Sequence, residues 1–151
     1  LETEYTYIDI FEQVAAAYIY GDKLQLLNEL GAETLSFKRA PIQGKVWALS
    51  LYKKNGYGMA PVPDEIPVDL ELRGEKAFGC SGCNNYSAKA VFDEKGNLCF
   101  GDLSVTRLKC RDRMDFEKQY LGLIQETAGY SINGTALSLY NRYEDEIMVF
   151  L

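Results

Sequence analysis

Four cysteines are the residues best equipped for chemistry: Cys80 and Cys83 in a Cys80-Ser81-Gly82-Cys83 motif, then Cys99 and Cys110. Four thiolates could hold zinc, but zinc knuckles come as paired CxxC motifs and this chain has one. A redox CxxC opens a helix, whose N-terminus lowers the thiol pKa. The residues around this one are β-rich, with no helix after it. Structural disulfides suit an even cysteine count in a small exported domain, at about 2–4 kcal/mol per bridge, and four cysteines allow three pairings. There is no histidine, which removes the commonest general base, the Ser-His and Cys-His dyads and the commonest zinc ligand. Acidic groups stand together at Asp64/Glu65, Asp93/Glu94 and Glu144/Asp145/Glu146. Glycosidic chemistry needs two carboxyls at a fixed cleft separation, whereas these occupy turn sequences where solvation accounts for them. No catalytic residue, metal or cofactor is expected.

The framework around the cysteines is globular. Of 151 residues, 47% are hydrophobic and 25% charged, enough apolar material for a core. No apolar run reaches the ~18 residues of a membrane span. A net charge of −6 repels phosphate backbones and argues against a nucleic-acid partner. The one basic cluster, Arg107, Lys109, Arg111 and Arg113, has Asp112 and Asp115 close by and reads as a solvated strand end. Among eleven tyrosines, Tyr52, Tyr57, Tyr86, Tyr140 and Tyr143 are candidates for an exposed face suited to protein or glycan contact; half-buried strand tyrosines are the plainer alternative. Two N-x-S/T triplets, at Asn85 and Asn133, matter only in a glycosylating host. The chain opens on Leu1 rather than Met, as after removal of a signal segment or in a fragment.

Stepping along the chain, Lys45–Lys53 alternates as a strand, and a Gly/Pro-rich loop covers Asn55–Pro67. Val68, Leu70 and Leu72 point inward from the next strand. Lys76–Gly79, Ser87–Phe92 and Leu98–Leu108 follow, with a hairpin turn at 93–97. Phe116, Tyr120, Leu123, Ile124 and Thr127 then recur at helical spacing behind an Asp115 N-cap, and Gly129 is the expected stop. A hairpin turning at Asn133-Gly134 and a final strand close the chain.

Shifting the chain by 113 residues superimposes Tyr7 on Tyr120, Ala15 on Ala128, Ile19 on Ile132, Gly21 on Gly134, Leu24 on Leu137, Leu26 on Leu139, Asn28 on Asn141, Glu33 on Glu146 and Phe37 on Phe150. The match is ungapped and keeps the glycine turn and the closing Phe, so it reads as a true internal repeat. The first copy has a helical stripe (Tyr7, Ile10, Phe11, Val14), a turn at Gly21-Asp22 and two strands. It lacks everything that precedes the helix in the second copy. A helix with one hairpin cannot bury its apolar faces alone. Its cover would be the rest of the chain, a strand-swapped second copy, or the missing first part of the repeat.

The segment Gly79-Cys80-Ser81-Gly82-Cys83-Asn84-Asn85-Tyr86 resembles the G-x-x-G-C-N-x-Y core of the META domain (HslJ-like, DUF306) family. Leu103–Cys110, with Thr106 and Cys110, resembles that family's T-(+)-x-x-C strand. Trp47-Ala48-Leu49 resembles its early W-x-L, Asp115-Phe116-Glu117 through Leu123 its helix, and Tyr130–Leu139 its y-x-I-x-G-x-x-L-x-L hairpin. The resemblance makes 44–151 one complete META domain and 1–40 the C-terminal third of a preceding copy. It implies an α+β fold: a curved antiparallel sheet with one packed helix, plus an N-terminal helix-hairpin segment from the partial repeat. The expected brace is Cys83–Cys110. Cys80 and Cys99 depart from the plain family pattern and form the expected second pair. Gly79, Gly82, Asn84, Tyr86, Thr106 and Trp47 carry the structural motif, with Gly82-Cys83-Asn84 as a turn tied to a strand.

The resemblance also implies a secreted, periplasmic or outer-envelope setting, often as a lipoprotein. Its bacterial members are associated with heat induction and novobiocin resistance, and its trypanosomatid members with secretion and virulence. The family has no established catalytic residues to carry over. The expected function is a non-catalytic structural or binding module linked to stress tolerance, meeting an unknown protein or small ligand, with Asn85, Tyr57 and Tyr52 as candidate contacts. Two other readings stand beside it: a secreted protease inhibitor presenting the rigid 55–67 loop, and a thiol-redox protein using Cys80/Cys83.

Overall fold

The computed structural model describes residues 8–20, 23–38, 41–93, 95 and 97–151. Tyr7, the Gly21-Asp22 turn and Glu94, all named above, lie outside the described residues. The chain divides into two compact units, 1–41 and 42–151.

The larger unit carries the core. Its elements are β4 (Val46–Lys53), β5 (Met59–Pro61), β6 (Asp69–Arg73), β7 (Lys76–Cys80), β8 (Asn85–Phe92), β9 (Leu98–Val105), α1 (Met114–Glu126), β10 (Thr127–Asn133), β11 (Ala136–Asn141) and β12 (Glu146–Phe150). The antiparallel sheet runs β10-β11-β12-β4-β6-β7-β8-β9, with β5 paired to β4. β4 is the hinge of this order. Val46–Ala48 pairs with β6, Leu51–Lys53 pairs with β5 along the same edge, and the opposite edge takes β12. The two ends of the sheet stay unpaired but come close: the Phe92 and Tyr130 rings are 6.0 Å apart.

The apolar phase of each strand explains what the sheet encloses. Leu70 and Leu72 are fully buried, as are Leu137 and Leu139, with polar residues alternating between them. Ala77, Ala88 and Ala90 are buried too, and share one cluster with Phe116, Tyr120 and Ile124 of α1. Small strand residues under a helix let the two backbones approach. So the expected α+β architecture is present, with one main helix laid into a curved antiparallel sheet.

Some local expectations change. Arg113, not Asp115, occupies the N-cap, without a side-chain cap bond. Asp115 and Glu117 instead fill the first helical turn, where carboxylates favour the dipole. Gly129 does not stop the helix. Thr127 turns extended and starts β10 directly, its Oγ1 donating to Leu123 O at 3.0 Å, and Gly129 lies at the β10 bulge. β9 ends at Val105 rather than Leu108; beyond it Thr106 Oγ1 and Leu108 N donate to the Asn84 side chain. The 55–67 loop opens in a 3-10 turn at Lys54–Gly56 and contains a short strand, β5, at its middle.

The smaller unit has a helical turn at 8–11 and an antiparallel meander of β1 (Ala16–Tyr20), β2 (Lys23–Leu27) and β3 (Glu33–Lys38).

Candidate functional site

The motif residues converge on a carboxylate that the cysteine motif alone does not reveal. Glu117 belongs to α1 and is 5% exposed. Its Oε2 accepts from Ser81 Oγ at 2.7 Å and from Asn84 N at 2.8 Å, and its Oε1 from Asn84 Nδ2 at 2.9 Å. Burial pushes this carboxyl upward, but the Asn84 and Ser81 donors outweigh burial and hold it below its ordinary value. A signal for Glu117 existed in the sequence. It precedes Tyr120 by three and Ile124 by seven, which places it on the buried stripe. A carboxylate there needs a dedicated set of donors.

Asn84 joins that carboxylate to the next segment. Its Nδ2 also donates to Leu108 O at 3.1 Å, and its Oδ1 accepts from Thr106 Oγ1 at 2.8 Å and Leu108 N at 2.7 Å. The amide's two donors and both acceptor positions are therefore used. Thr106 Oγ1 in turn accepts from Asn85 N at 3.1 Å. The Cys83–Cys110 disulfide, with Cα atoms 5.9 Å apart, closes the same junction covalently.

The glycines fit by necessity. A Cβ on Gly79 would lie 2.0 Å from Asp69 O and 2.7 Å from the Tyr86 ring. Gly82 has φ 100, and its Cβ would meet Ile66 at 2.8 Å. The space beside Gly79 holds a buried triangle. Tyr86 Oη lies 3.0 Å and Tyr120 Oη 3.2 Å from Asp69 O, and the two hydroxyls are 2.7 Å apart. Burial raises both phenol pKa values, so both stay neutral donors. Trp47 is buried, its Nε1 donating to Ile42 O at 2.8 Å, with Lys45 Nζ 4.0 Å above its ring.

The second expected disulfide is corrected: Cys80 and Cys99 are free thiols. Cys80 pairs with Asn85 on one side of β8, and Cys99 with Val91 on the other. They sit two strands apart and six β8 residues out of step, about 10 Å by 20 Å, whereas a bridge needs Cα atoms within about 7 Å. The redox dithiol is corrected as well, since Cys83 is bonded to Cys110 and not poised against Cys80. The same bond withdraws two of the four thiolates a zinc site would use.

The tyrosines split. Tyr52 is 3% exposed and stands edge-on to Phe116 at 5.1 Å, so it is a core residue rather than a surface contact. Tyr86 is buried in the triangle. Tyr57 and Tyr143 are 88% and 76% exposed, and Asn85 is exposed. Lys53 ties the strand before the Tyr57 turn to the Tyr143 turn through Asp145, at 3.0 Å. Among the described residues no buried side-chain nitrogen or oxygen lacks a partner.

A curved antiparallel sheet filled by one helix, with a disulfide and a buried glutamate locking the helix to a glycine turn, defines a small α+β domain of the META type. The META domain model matches residues 40–151, and the chain belongs to that family. An NMR structure of a protein from Burkholderia xenovorans is similar in fold: TM-score 0.60, 24% identity, covering 72% of this chain and 82% of that one. Comparison with curated proteins gives no match. No helix among the described residues is long and apolar enough to cross a membrane.

Proposed function

We propose that this protein is a non-catalytic META module of the cell envelope or secreted fraction, which binds a protein or small ligand and contributes to stress tolerance. The observation that carries the reading is the inward use of the motif. Glu117, Ser81, Asn84 and Thr106 form one hydrogen-bonded chain, and Tyr86 and Tyr120 bond each other and Asp69 O, so these motif side chains support the fold. The Cys83–Cys110 bridge supports an oxidising compartment, where such bonds persist. The exposed Tyr57 and Tyr143, on turns tied through Lys53 and Asp145, supply the candidate contact face, with Asn85 as a further exposed polar contact.

Cell fractionation of the source, combined with mass measurement of the intact protein, tests the setting. The expected result is an exported protein with the 83–110 bridge formed; a reduced cytoplasmic protein overturns it. Screening hydrolase, oxidoreductase and protease-inhibition panels tests the absence of catalysis and of inhibition. Turnover lost in E117Q, or inhibition lost on altering 55–67, would replace the reading. For binding, Tyr57→Ala with Tyr143→Ala should abolish capture on protein or glycan arrays and leave the melting temperature unchanged. A gene deletion that grows normally under heat shock removes the stress role.

A further inference from the structure

The smaller unit repeats the last two hairpins of the larger one pair for pair. With 113 added to each number, Ala17↔Leu26, Ile19↔Leu24 and Tyr20↔Lys23 become Tyr130↔Leu139, Ile132↔Leu137 and Asn133↔Ala136. Leu24↔Phe37 and Leu26↔Leu35, then a bulge and Leu27↔Glu33, become Leu137↔Phe150 and Leu139↔Met148, the same bulge, and Tyr140↔Glu146. The turns agree in detail. Asn28 Oδ1 accepts from Leu30 N and Ala32 N at 3.0 Å each; Asn141 Oδ1 accepts from Tyr143 N and Asp145 N at 2.9 and 3.0 Å. Gly31 and Glu144, equivalent positions, both have positive φ, 75 and 64.

What differs is the cover. In the larger unit the outer edge of β12 pairs with β4 through Met148↔Tyr52 and Val149↔Leu51, and Phe150 and Ile124 are 0% exposed. Their counterparts Phe37 and Phe11 are 42% and 51% exposed. β3, the counterpart of β12, ends its sheet with no further strand among the described residues. An open edge beside an apolar face is the surface of half a domain.

We infer that residues 8–38 are the closing third of a second META domain, and that the edge of β3 and the apolar face around Phe37 dock the front part of that domain. The occupant is a counterpart of residues 42–113, lying N-terminal to the smaller unit in the same polypeptide, because in the larger unit the front precedes its helix. A second copy of 1–151 is the poorer candidate. Its β4 edge is filled by its own β12 and its core by its own helix, so it would have to open to donate either. This inference is independent of what the protein binds.

Hydrogen exchange read by mass spectrometry, on 1–151 and on the natural polypeptide purified from its source, tests it, with sedimentation giving the oligomeric state of each. Residues 1–151 should be monomeric, with β3 amides exchanging roughly 100-fold faster than those of β12. In the natural polypeptide β3 should be protected to within about tenfold of β12, and Phe37→Lys should remove that protection from β3 alone. A natural polypeptide without the segment, or one that leaves β3 unprotected, overturns the inference. So does protection of β3 in 1–151 itself: in a dimer a second copy is the occupant, in a monomer the larger unit is.

Discussion

Glu117 is the residue on which the motif turns. Replacing it by Gln keeps the shape but sets an amide group against a donor from Asn84 or Ser81, leaving a buried donor unpaired. E117Q should lose about 1–3 kcal/mol of stability in urea titrations at pH 7. The folded carboxyl titrates below the ordinary value of about 4.3, held there against burial by Asn84 and Ser81. Its stabilising contribution is therefore complete above that ordinary value and is lost as pH falls through the lower folded value. The stability gap between wild type and E117Q should shrink from pH 5 downward; a constant gap would show that the charge is not what gathers the donors. The free cysteines make a second test at this scale. Denatured, unreduced protein should titrate two thiols and reduced protein four. In the native state exposed Cys99 should react ahead of half-buried Cys80. Fewer than two thiols would restore the second bridge.

At the scale of elements, the disulfide and the Gly79 approach fix how β7, β8 and α1 meet. Cys83 and Cys110 are 27 residues apart, and a loop of that length closed in the unfolded chain corresponds to about 3.5 kcal/mol. The Cys83→Ser, Cys110→Ser double variant should lose that much in denaturant unfolding while keeping far-UV circular dichroism, since Glu117 still anchors the turn. Gly79→Ala forces a methyl group onto the Asp69 carbonyl, a backbone atom that cannot rotate away. It should prevent recovery of folded protein, a loss beyond the usual 0.5–3 kcal/mol (roughly) of point variants, visible as absent near-UV dichroism. The same closeness explains what the sequence showed of this region. Gly79, Gly82, Asn84 and Tyr86 were legible as a motif from their types and spacing. Ser81, Asp69 and Tyr120 were not, because their roles depend on a carbonyl and a helix brought in from elsewhere in the chain.

At the scale of the whole molecule, every member of the buried cluster from Ile42 to Phe150 belongs to the larger unit. Residues 42–151 alone should therefore unfold cooperatively, with a melting temperature by calorimetry within about 4 °C of the full chain, the shift that ~1 kcal/mol produces at this size. A molten product would mean that the smaller unit is part of that core.

By itself the sequence determined the elements and their family. Period-two and helical spacing set the inward faces of β6 and α1, the ordered motifs marked a META domain, and the 113-residue offset is the observation from which a repeat is inferred. These are properties of residues near in sequence or strictly periodic along it. Only the tertiary structure decided the partners. Cys80 and Cys99 look pairable on a line, yet β8 stands between them. Tyr52 falls beyond the β4–β12 irregularity, so alternation mistook its side. Glu117 is acceptable in the core because donors from a turn 33 residues earlier arrive at its carboxylate. Pairing, sidedness and charge satisfaction are settled by distances across strands, and those exist only once the sheet has packed against the helix.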